Sequence, residues 1–282
     1  MNKGNRFLRA HLPRWVTYVL LIVVCLAILV PFAWMISGGM KSRAEIFRLP
    51  LSILPRENNL VENWNNLIEK RPHFLRNIAN STFVATTYTL GVLFFCSLIG
   101  YGFAKHEFPG RGALFAAVLA TMMIPAQATI IPLYLLFRKI GWMNTFYPLI
   151  IPGLAQAFGI FFMRQYISTV PNDLLDSARI DGAGEFRIYL RIVLPIIKPA
   201  LATLGIITFM TSWNSYFWPV VVLTEPKMQT LQVAITNMSG AIRVPYELIM
   251  LGCSISLLVP IVVFLLFQRY FIKGLMVGSI KG

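Results

Sequence analysis

The sequence predicts an all-α transmembrane protein, and three features of its 282 residues indicate this fold class. Hydrophobic residues make up 57% of the chain and charged residues only 13%. The mean hydropathy of +0.68 is too high for a soluble domain of this size. Charged side chains are missing from stretches as long as the roughly 20 residues that a helix needs to cross the hydrocarbon core. We therefore expect one transmembrane domain, 1–282, with spans at about 15–40, 77–104, 112–137, 140–163, 199–224 and 248–268.

The charge of the N-terminal residues predicts the topology. Residues 1–14 contain Lys3, Arg6, Arg9 and Arg14 and no acidic side chain, which on the positive-inside rule keeps the N-terminus in the cytoplasm. The apolar run that follows is too long for a signal peptide and lacks a small-residue cleavage site, so we expect a retained anchor. Six spans then return the C-terminus to the cytoplasm and leave 41–76, the longest polar interval, outside.

Several chemistries are excluded by what the sequence lacks. The cysteines and histidines are isolated from one another, at Cys25, Cys96, Cys253, His11, His73 and His106. This predicts neither a disulfide framework nor a metal site. The chain has no GxxxxGK[ST] phosphate loop, so we do not expect it to hydrolyse nucleotide. The net charge of +14 is spread between apolar runs, which indicates lipid phosphate and acidic partners in place of nucleic acid.

Charge is dense between two long apolar runs in the stretch from Pro171 to Pro199. Asp173 and Asp176 lie near the start of a predicted helix over 173–180, where backbone N–H groups favour anions. Asp181-Gly182 predicts a turn, because glycine reaches backbone angles that other residues avoid. A second helix follows, and its predicted apolar face contains Phe186, Tyr189, Leu190 and Val193. This pattern fits a connector lying on the membrane surface as well as a docking element, and periodicity does not separate the two.

The residues of this loop, 171–197, resemble the cytoplasmic "EAA" loop of binding-protein-dependent ABC importers. Asp181-Gly182-Ala183 and Ile192-x-Leu194-Pro195 match the family pattern in full. Asp176 stands where the family usually has Glu, and Ser177 where it has Ala. The resemblance implies a pair of coupling helices that contact ATPase subunits. The implied coupling residues are Asp176, Ser177, Ala178, Asp181, Gly182, Ala183, Phe186, Ile192, Leu194 and Pro195.

Other stretches resemble the carbohydrate-uptake, maltose-type branch of the same family. They include 47–64 and 74–81 in and after the first external segment, the motifs around Pro125 and Pro132 in the third span, and the tail 268–282. The resemblance implies a six-span type I importer permease in the bacterial inner membrane, forming half of a heterodimeric pore. The implied partners are a second permease, two ATP-binding subunits that hold ATP and Mg²⁺, and a periplasmic or extracellular solute-binding protein. No cofactor is implied in this chain.

The same resemblance implies two further contact sites. The external tip at Asn237, Met238, Ser239 and Gly240 corresponds to the loop that reaches into the binding protein in maltose-type relatives. The tail corresponds to a segment that reaches the ATPase subunits, with contacts at Gly274, Gly278 and Lys281. Without the resemblance, a frayed terminus would be the ordinary expectation for such a tail.

Polar and amphipathic side chains inside the fourth and fifth spans predict a substrate path. Gln156, Trp213, Asn214 and Tyr216 lie at a depth where facing lipid is costly, so we expect them to point inward. Such groups serve either as interhelical hydrogen bonds or as sugar contacts, since sugars are bound by amides and hydroxyls beside aromatic faces. Pro125 and Pro132 predict kinks in the third span.

Together these features predict a permease subunit of an ATP-driven importer that moves a sugar or sugar derivative inward by alternating access. A self-sufficient secondary transporter is the alternative, but it would normally place an ionisable residue in mid-membrane to couple an ion. The charge-free spans offer none. An intramembrane enzyme would need a catalytic Ser/His pair or paired aspartates within the spans, which are also missing.

Overall fold

The computed structural model of the protein describes residues 14–240 and 242–279, with the backbone alone for residue 14 and residues 269–279. These residues are largely helical and contain no strand. The α-helices are α1 Arg14–Gly38, α2 Arg43–Ile46, α3 Leu60–Lys70, α4 Phe74–Lys105, α5 Arg111–Thr121, α6 Ile130–Lys139, α7 Tyr147–Ile150, α8 Ala157–Ile167, α9 Asn172–Ile180, α10 Glu185–Ile188, α11 Leu194–Ile196, α12 Lys198–Trp213, α13 Phe217–Val222, α14 Leu231–Thr236 and α15 Tyr246–Ser279. Short 3₁₀ helices lie at Ala126–Thr129 and Ile151–Gly153, and a π-helical turn lies at Tyr189–Val193.

Four helical stretches of the described chain are long and apolar enough to cross a membrane: Trp15–Gly38, Phe74–Lys105, Tyr147–Ile167 and Tyr246–Gln268. Two bent pairs raise the number to six if each pair is one span. Arg111–Thr121 and Ala126–Lys139 meet at 88°, and Glu185–Ile196 and Lys198–Trp213 meet at 79°. This range includes the six spans predicted from the sequence.

Several of the predicted spans are interrupted, and a proline lies at one of the breaks. Pro125 lies in the break between the two halves of the third predicted span, as expected for a residue that cannot donate a backbone hydrogen bond. Pro132 lies in the first turn of α6, where backbone N–H groups have no acceptor within the helix, so a residue without an N–H is tolerated. The fourth predicted span, 140–163, is instead built of short pieces from Tyr147 onward. The fifth, 199–224, is interrupted after Trp213.

The chain forms two compact units. The first contains the residues up to Lys70 together with Met238–Ile255. In it, Lys41 is buried, donates hydrogen bonds to the carbonyl oxygens of Ser52 and Ile53, and lies 4.4 Å from the ring centroid of Trp34. These contacts satisfy a charge that would otherwise be costly to bury and hold the segment that follows α1.

The second unit contains Arg71–Asn237 and the residues from Ser256 onward, and α4 is its central helix, packed against α8 and α12. Two glycines allow α4 and α8 to approach closely. A Cβ on Gly100 would lie 2.9 Å from the backbone nitrogen of Arg164, and one on Gly159 would lie 2.7 Å from the sulfur of Cys96. Buried apolar side chains from all three helices fill the core, including Val92, Met163, Ile167 and Leu204.

Candidate coupling and transport sites

The predicted helix–turn–helix is present in loop 171–197, which we call the coupling loop. Helix α9 ends at Ile180, and Gly182 follows with φ at +77°, a left-handed conformation that non-glycine residues rarely adopt. The backbone N–H of Gly182 donates to the carbonyl of Arg179 at 3.0 Å, and that of Ala183 donates to Ala178 at 2.9 Å. This pair of hydrogen bonds is a Schellman motif, which satisfies the last carbonyls of the helix and turns the chain sharply.

The second coupling helix differs from the prediction in which residues it buries. Tyr189 and Val193 are buried, whereas Phe186 and Leu190 are 57% and 43% exposed. The π-helical turn at Tyr189–Val193 contains an extra residue per turn and therefore rotates the faces of the helix relative to a regular 3.6 repeat. The prediction of one continuous apolar face is wrong, because the apolar residues divide between the core and the exposed surface.

A charged cluster around Glu185 joins the two coupling helices. Arg179 donates from Nε to Glu185 Oε1 at 2.7 Å and from Nη1 to Asp176 Oδ1 at 2.6 Å. Glu185 Oε2 also accepts the hydroxyl of Tyr101 at 2.7 Å and lies 3.4 Å from His106 Nε2. The hydrogen bond from Arg179 is the main cause that lowers the pKa of Glu185, and the pKa of Arg179 is raised in return, first by Glu185 and then by Asp176.

Three side chains near the end of α4 bind the coupling loop, and we call Ser97, Tyr101 and Lys105 the inner clamp. Ser97 Oγ lies 2.7 Å from the hydroxyl of Tyr189. Tyr101 donates to Glu185, as described above. Lys105 Nζ donates to the carbonyl of Val170 and, at 2.8 Å, to the side-chain oxygen of Asn172. The loop is thus bonded to α4 at its beginning and at the start and middle of its second helix.

The outward surface of the coupling loop is apolar in places. Leu174, Ile180 and Phe186 are 46%, 87% and 57% exposed. Of the predicted coupling residues, those exposed are Asp176, Ser177, Asp181, Gly182, Phe186 and Pro195, and those half-buried are Ala178, Ala183, Ile192 and Leu194. Large exposed apolar side chains on a rigid polar loop are a common feature of protein interaction sites.

Buried polar side chains at the opposite end of α4 bind loop 226–231, and we call Asn77, Asn80 and Ser81 the outer clamp. Asn77 Nδ2 donates to the carbonyls of Pro226 and Gln229 at 3.0 and 2.8 Å. Asn80 Nδ2 donates to those of Lys227 and Gln229 at 3.0 and 2.9 Å. Ser81 Oγ accepts the backbone N–H of Leu231 at 2.8 Å. Loop 226–231 therefore has its backbone polar groups satisfied by one helix face.

The predicted binding-protein contacts follow this loop. Asn237 is exposed, and its carbonyl accepts a hydrogen bond from Arg71 Nη2 at 3.0 Å. Ser239 and Gly240 are exposed, whereas Met238 is only 2% exposed and offers little surface to a partner. Sequence reasoning missed the anchoring role of Arg71, because an isolated surface arginine carries no distinctive pattern.

The predicted substrate-path residues have different environments. Gln156 donates to Thr208 Oγ1 at 3.4 Å, which is the interhelical hydrogen bond that was one of its two expected uses. Trp213 is buried and stacks on Phe209, and its indole N–H has no hydrogen-bond partner among the described residues. Asn214 and Tyr216 are exposed. Phe209 also lines an apolar groove of about 540 Å³ between α4, α12 and α15.

The predicted tail contacts lie at the limit of the described chain. Gly274 and Gly278 belong to the backbone of α15, which extends to Ser279. Lys281 lies outside the described residues. The cysteines are free, and no group of three metal-ligating side chains converges within residues 14–240 and 242–279.

Comparison with known proteins shows similarity over most of the chain. Residues 96–277 match the protein family described as "Binding-protein-dependent transport system inner membrane component". The arabinooligosaccharides transport system permease protein AraQ of Bacillus subtilis (strain 168) is 34% identical over 279 residues, covering 96% of this chain and 99% of the relative. The lactose transport system permease protein LacG of Rhizobium radiobacter is 31% identical, covering 97% of this chain and 98% of the relative.

A solved structure has the same fold. The crystal structure of a bacterial ABC transporter involved in the import of the acidic polysaccharide alginate contains a chain that superposes with a TM-score of 0.80. Sequence identity is 25%, and the superposition covers 91% of this chain and 95% of the other.

Proposed function

The chain belongs to the family of binding-protein-dependent transport system inner membrane components, and on that basis we propose how its sites act. It is the multi-pass permease subunit of a carbohydrate-uptake ABC importer and not itself an enzyme. The full-length similarity supports this function and not a self-sufficient secondary transporter. In our proposal a second permease completes the pathway, and two separate subunits supply ATP and Mg²⁺ from the cytoplasm.

The coupling loop is the proposed docking site for one ATP-binding subunit. The observation that carries this proposal is the exposure of Leu174, Ile180 and Phe186 on a loop fixed by the Glu185 cluster and the inner clamp. A rigid support lowers the conformational entropy lost on binding, and apolar side chains on it supply the contact energy. Asp176, exposed and paired with Arg179, lies beside this apolar surface.

The remaining contacts are proposed by the same argument from family membership. The solute-binding protein would engage the external surface at Asn237, Ser239 and Gly240, and the tail around Gly274 and Gly278 would meet the ATP-binding subunits. Both termini would then lie in the cytoplasm. The acid-free N-terminal segment supports this orientation.

The substrate path is proposed to lie along the ends of α8 and α12. The exposed amide of Asn214 and the exposed ring of Tyr216 follow the buried Trp213, and amides beside aromatic faces suit a sugar or sugar derivative. Gln156 would act by holding α8 against α12 through Thr208. Alternating access would expose this path to one side of the membrane at a time.

Substitution of an exposed apolar residue tests the docking proposal. We expect Phe186→Ala to weaken binding of the ATP-binding subunits to the permease pair by about tenfold, because a central aromatic anchor typically contributes more than about 1 kcal/mol. The control is Leu75→Ala, which removes a side chain of nearly equal exposure, 58%, at the opposite end of α4. Binding is measured by titration of the ATP-binding subunits onto the permease pair in lipid nanodiscs.

ATP-driven uptake by the same proteins in vesicles tests the importer function itself. We expect wild-type uptake to require ATP inside the vesicles and to resist ionophores. Uptake that follows an ion gradient without ATP would overturn the importer function. Unchanged subunit binding by Phe186→Ala would overturn only the docking surface.

A further inference from the structure

Helix α4 is continuous and is longer than α8 and α12, the two helices against which it packs. Its 32 residues contain no proline and extend for roughly 48 Å at 1.5 Å per residue. By contrast, the path along the chain from the second coupling helix into α12 turns through 79°. A regular helix resists bending and stretching, because any such change strains its ladder of backbone hydrogen bonds, whereas a bent junction can absorb a displacement.

The two clamps lie on defined faces of α4. Asn77, Asn80 and Ser81 are spaced at i, i+3 and i+4, so their side chains point to one side of the outer end. The inner clamp residues Ser97, Tyr101 and Lys105 are spaced at i, i+4 and i+8, so they also share one side. The side chains of the outer clamp and of Ser97 are buried. Each set binds a segment that is distant in sequence.

Each clamp makes several hydrogen bonds to its loop, so a displacement of the loop relative to α4 would break more than one of them. The outer clamp binds the backbone of loop 226–231 through both of its asparagine amides, so the loop cannot slide along α4 without losing several hydrogen bonds. The inner clamp reaches the coupling loop at Val170, Glu185 and Tyr189. A movement of the coupling loop must therefore either break these bonds or carry α4 with it.

We propose that α4 is the mechanical link between the nucleotide state of the ATP-binding subunits and the external loop 226–237. This proposal rests on the proposed docking of those subunits at the coupling loop. In it, Ser97, Tyr101 and Lys105 are positioning residues that transfer the movement of the coupling loop to α4. Asn77, Asn80 and Ser81 transfer it onward to the surface proposed to meet the binding protein.

Hydrogen–deuterium exchange in the assembled complex tests the link without knowledge of the transported sugar. The complex in nanodiscs is compared with and without Mg²⁺-ATP plus vanadate, which traps the closed ATPase pair. In the wild type we expect amide exchange to change by about threefold or more both in the coupling loop and in 226–237, because both segments move with α4. The double variant Ser97→Ala/Tyr101→Phe keeps the shape of the side chains but removes two inner bonds. It should keep the coupling-loop response and lose the response at 226–237.

Two controls and a second variant make the test selective. Thr82→Ala removes a hydroxyl that bonds only within α4, and Tyr166→Phe removes a tyrosine hydroxyl without a hydrogen bond in the described chain, so both should respond like the wild type. Asn77→Ala/Asn80→Ala loosens the outer clamp and should also lose the response at 226–237. This second variant leaves the inner clamp intact. It therefore still tests the proposed link if the inner variant fails to assemble.

The outcomes separate the link from the function on which it rests. A wild-type complex with no nucleotide response in the coupling loop would contradict the proposed docking. A wild-type response in the coupling loop without one at 226–237 would overturn the link and leave the docking intact. A clamp variant that assembles and keeps its full response at 226–237 would also overturn the link.

Discussion

The two ends of α4 are joined to their loops by different chemistry. At the Lys105 end a carboxylate, Glu185, is shared by the guanidinium of Arg179 and the hydroxyl of Tyr101. At the Phe74 end the neutral amides of Asn77 and Asn80 bind backbone carbonyls. Charged hydrogen bonds are stronger, but they depend on pH and salt, whereas amide–carbonyl bonds do not titrate.

This difference suits the two proposed partners. The coupling loop leaves Ile180 and Phe186 exposed and pairs Arg179 with Asp176 and Glu185, which leaves an apolar surface for a subunit that stays bound. The external loop instead satisfies its backbone and exposes polar groups around Asn237, which suits a partner that binds and leaves in every transport cycle. Substitutions or pH changes that should affect the loop at only one end of α4 test this comparison.

The largest effect is expected from Gly182→Val at the inner end. The left-handed conformation of Gly182 costs an L-residue about 1–2 kcal/mol, and a β-branched side chain more, so the turn should be lost or displaced. A Cβ added to Gly182 would have no atom of a non-neighbouring described residue within 4 Å, so the cause would be backbone conformation and not crowding. We expect uptake to fall by about tenfold or more while the permease remains in the membrane.

A neighbouring glycine provides the matched control for this change. Gly184 has an ordinary φ of −69° and equally open surroundings, so Gly184→Val adds the same side chain without the conformational cost. Uptake and ATP hydrolysis are measured in the same vesicles. Equal losses in both variants would show that the left-handed turn is not the important feature of this loop.

A smaller effect is expected from Asn144→Ala at the outer end. Asn144 has φ at +57°, and its Oδ1 accepts the backbone N–H groups of Thr224 and Glu225 at 2.7 and 2.9 Å. Removing this acceptor should cost about 1 kcal/mol per hydrogen bond, partly recovered by water, and should speed amide exchange at these two residues about tenfold. The coupling loop should be unaffected.

Asn144→Asp is the control for the outer end, because aspartate keeps the accepting oxygen and tolerates the left-handed conformation. Its exchange rates at Thr224 and Glu225 should stay close to those of the wild type. If alanine and aspartate behave alike, then the hydrogen bonds of Asn144 do not hold this segment.

The smallest effect is expected from acid. The pKa of Glu185 is lowered in the folded protein, chiefly by its hydrogen bond from Arg179, so its contribution to stability is complete above the ordinary glutamate pKa of about 4.3. That contribution is lost as the pH falls through the lower, folded pKa. We therefore expect the coupling loop to lose protection against exchange only below about pH 4, while loop 226–231 keeps its protection.

Glu185→Gln checks the origin of this pH dependence. Glutamine keeps one of the two accepting oxygens but cannot titrate, so the variant should lose the acid transition in residues 172–189. An unchanged transition in the variant would show that Glu185 is not its origin.

Local sequence patterns were sufficient to predict the first helix and the turn of the coupling loop. Its first helix was expected over 173–180 and is observed at Asn172–Ile180, and the turn lies at Gly182 as expected. These features depend on neighbouring residues, because helix starts and glycine turns are decided within a few positions. The continuous apolar face was wrong, because a π-helical turn is a response to packing that 3.6-residue periodicity does not contain.

The clamps were not predicted, although they had a local signal. Three polar residues on one face of an apolar helix, Asn77, Asn80 and Ser81, indicate partners inside the protein. The sequence does not say which partners, and here they lie far along the chain, as between Asn77 and Gln229, separated by 152 residues. The same holds for Tyr101 and Glu185, separated by 84.

The sequence by itself determined the membrane-spanning helical class, the position of the coupling turn and the family, because each depends on composition, on short-range backbone preference or on contiguous motifs. Tertiary structure alone decided the sharp bend after Ile196, the division of the second coupling helix into buried and exposed sides, and the attachment of two distant loops to α4. The physical reason is that a hydrogen bond needs its two atoms about 3 Å apart, and only the packed arrangement of the helices brings such distant residues to that distance.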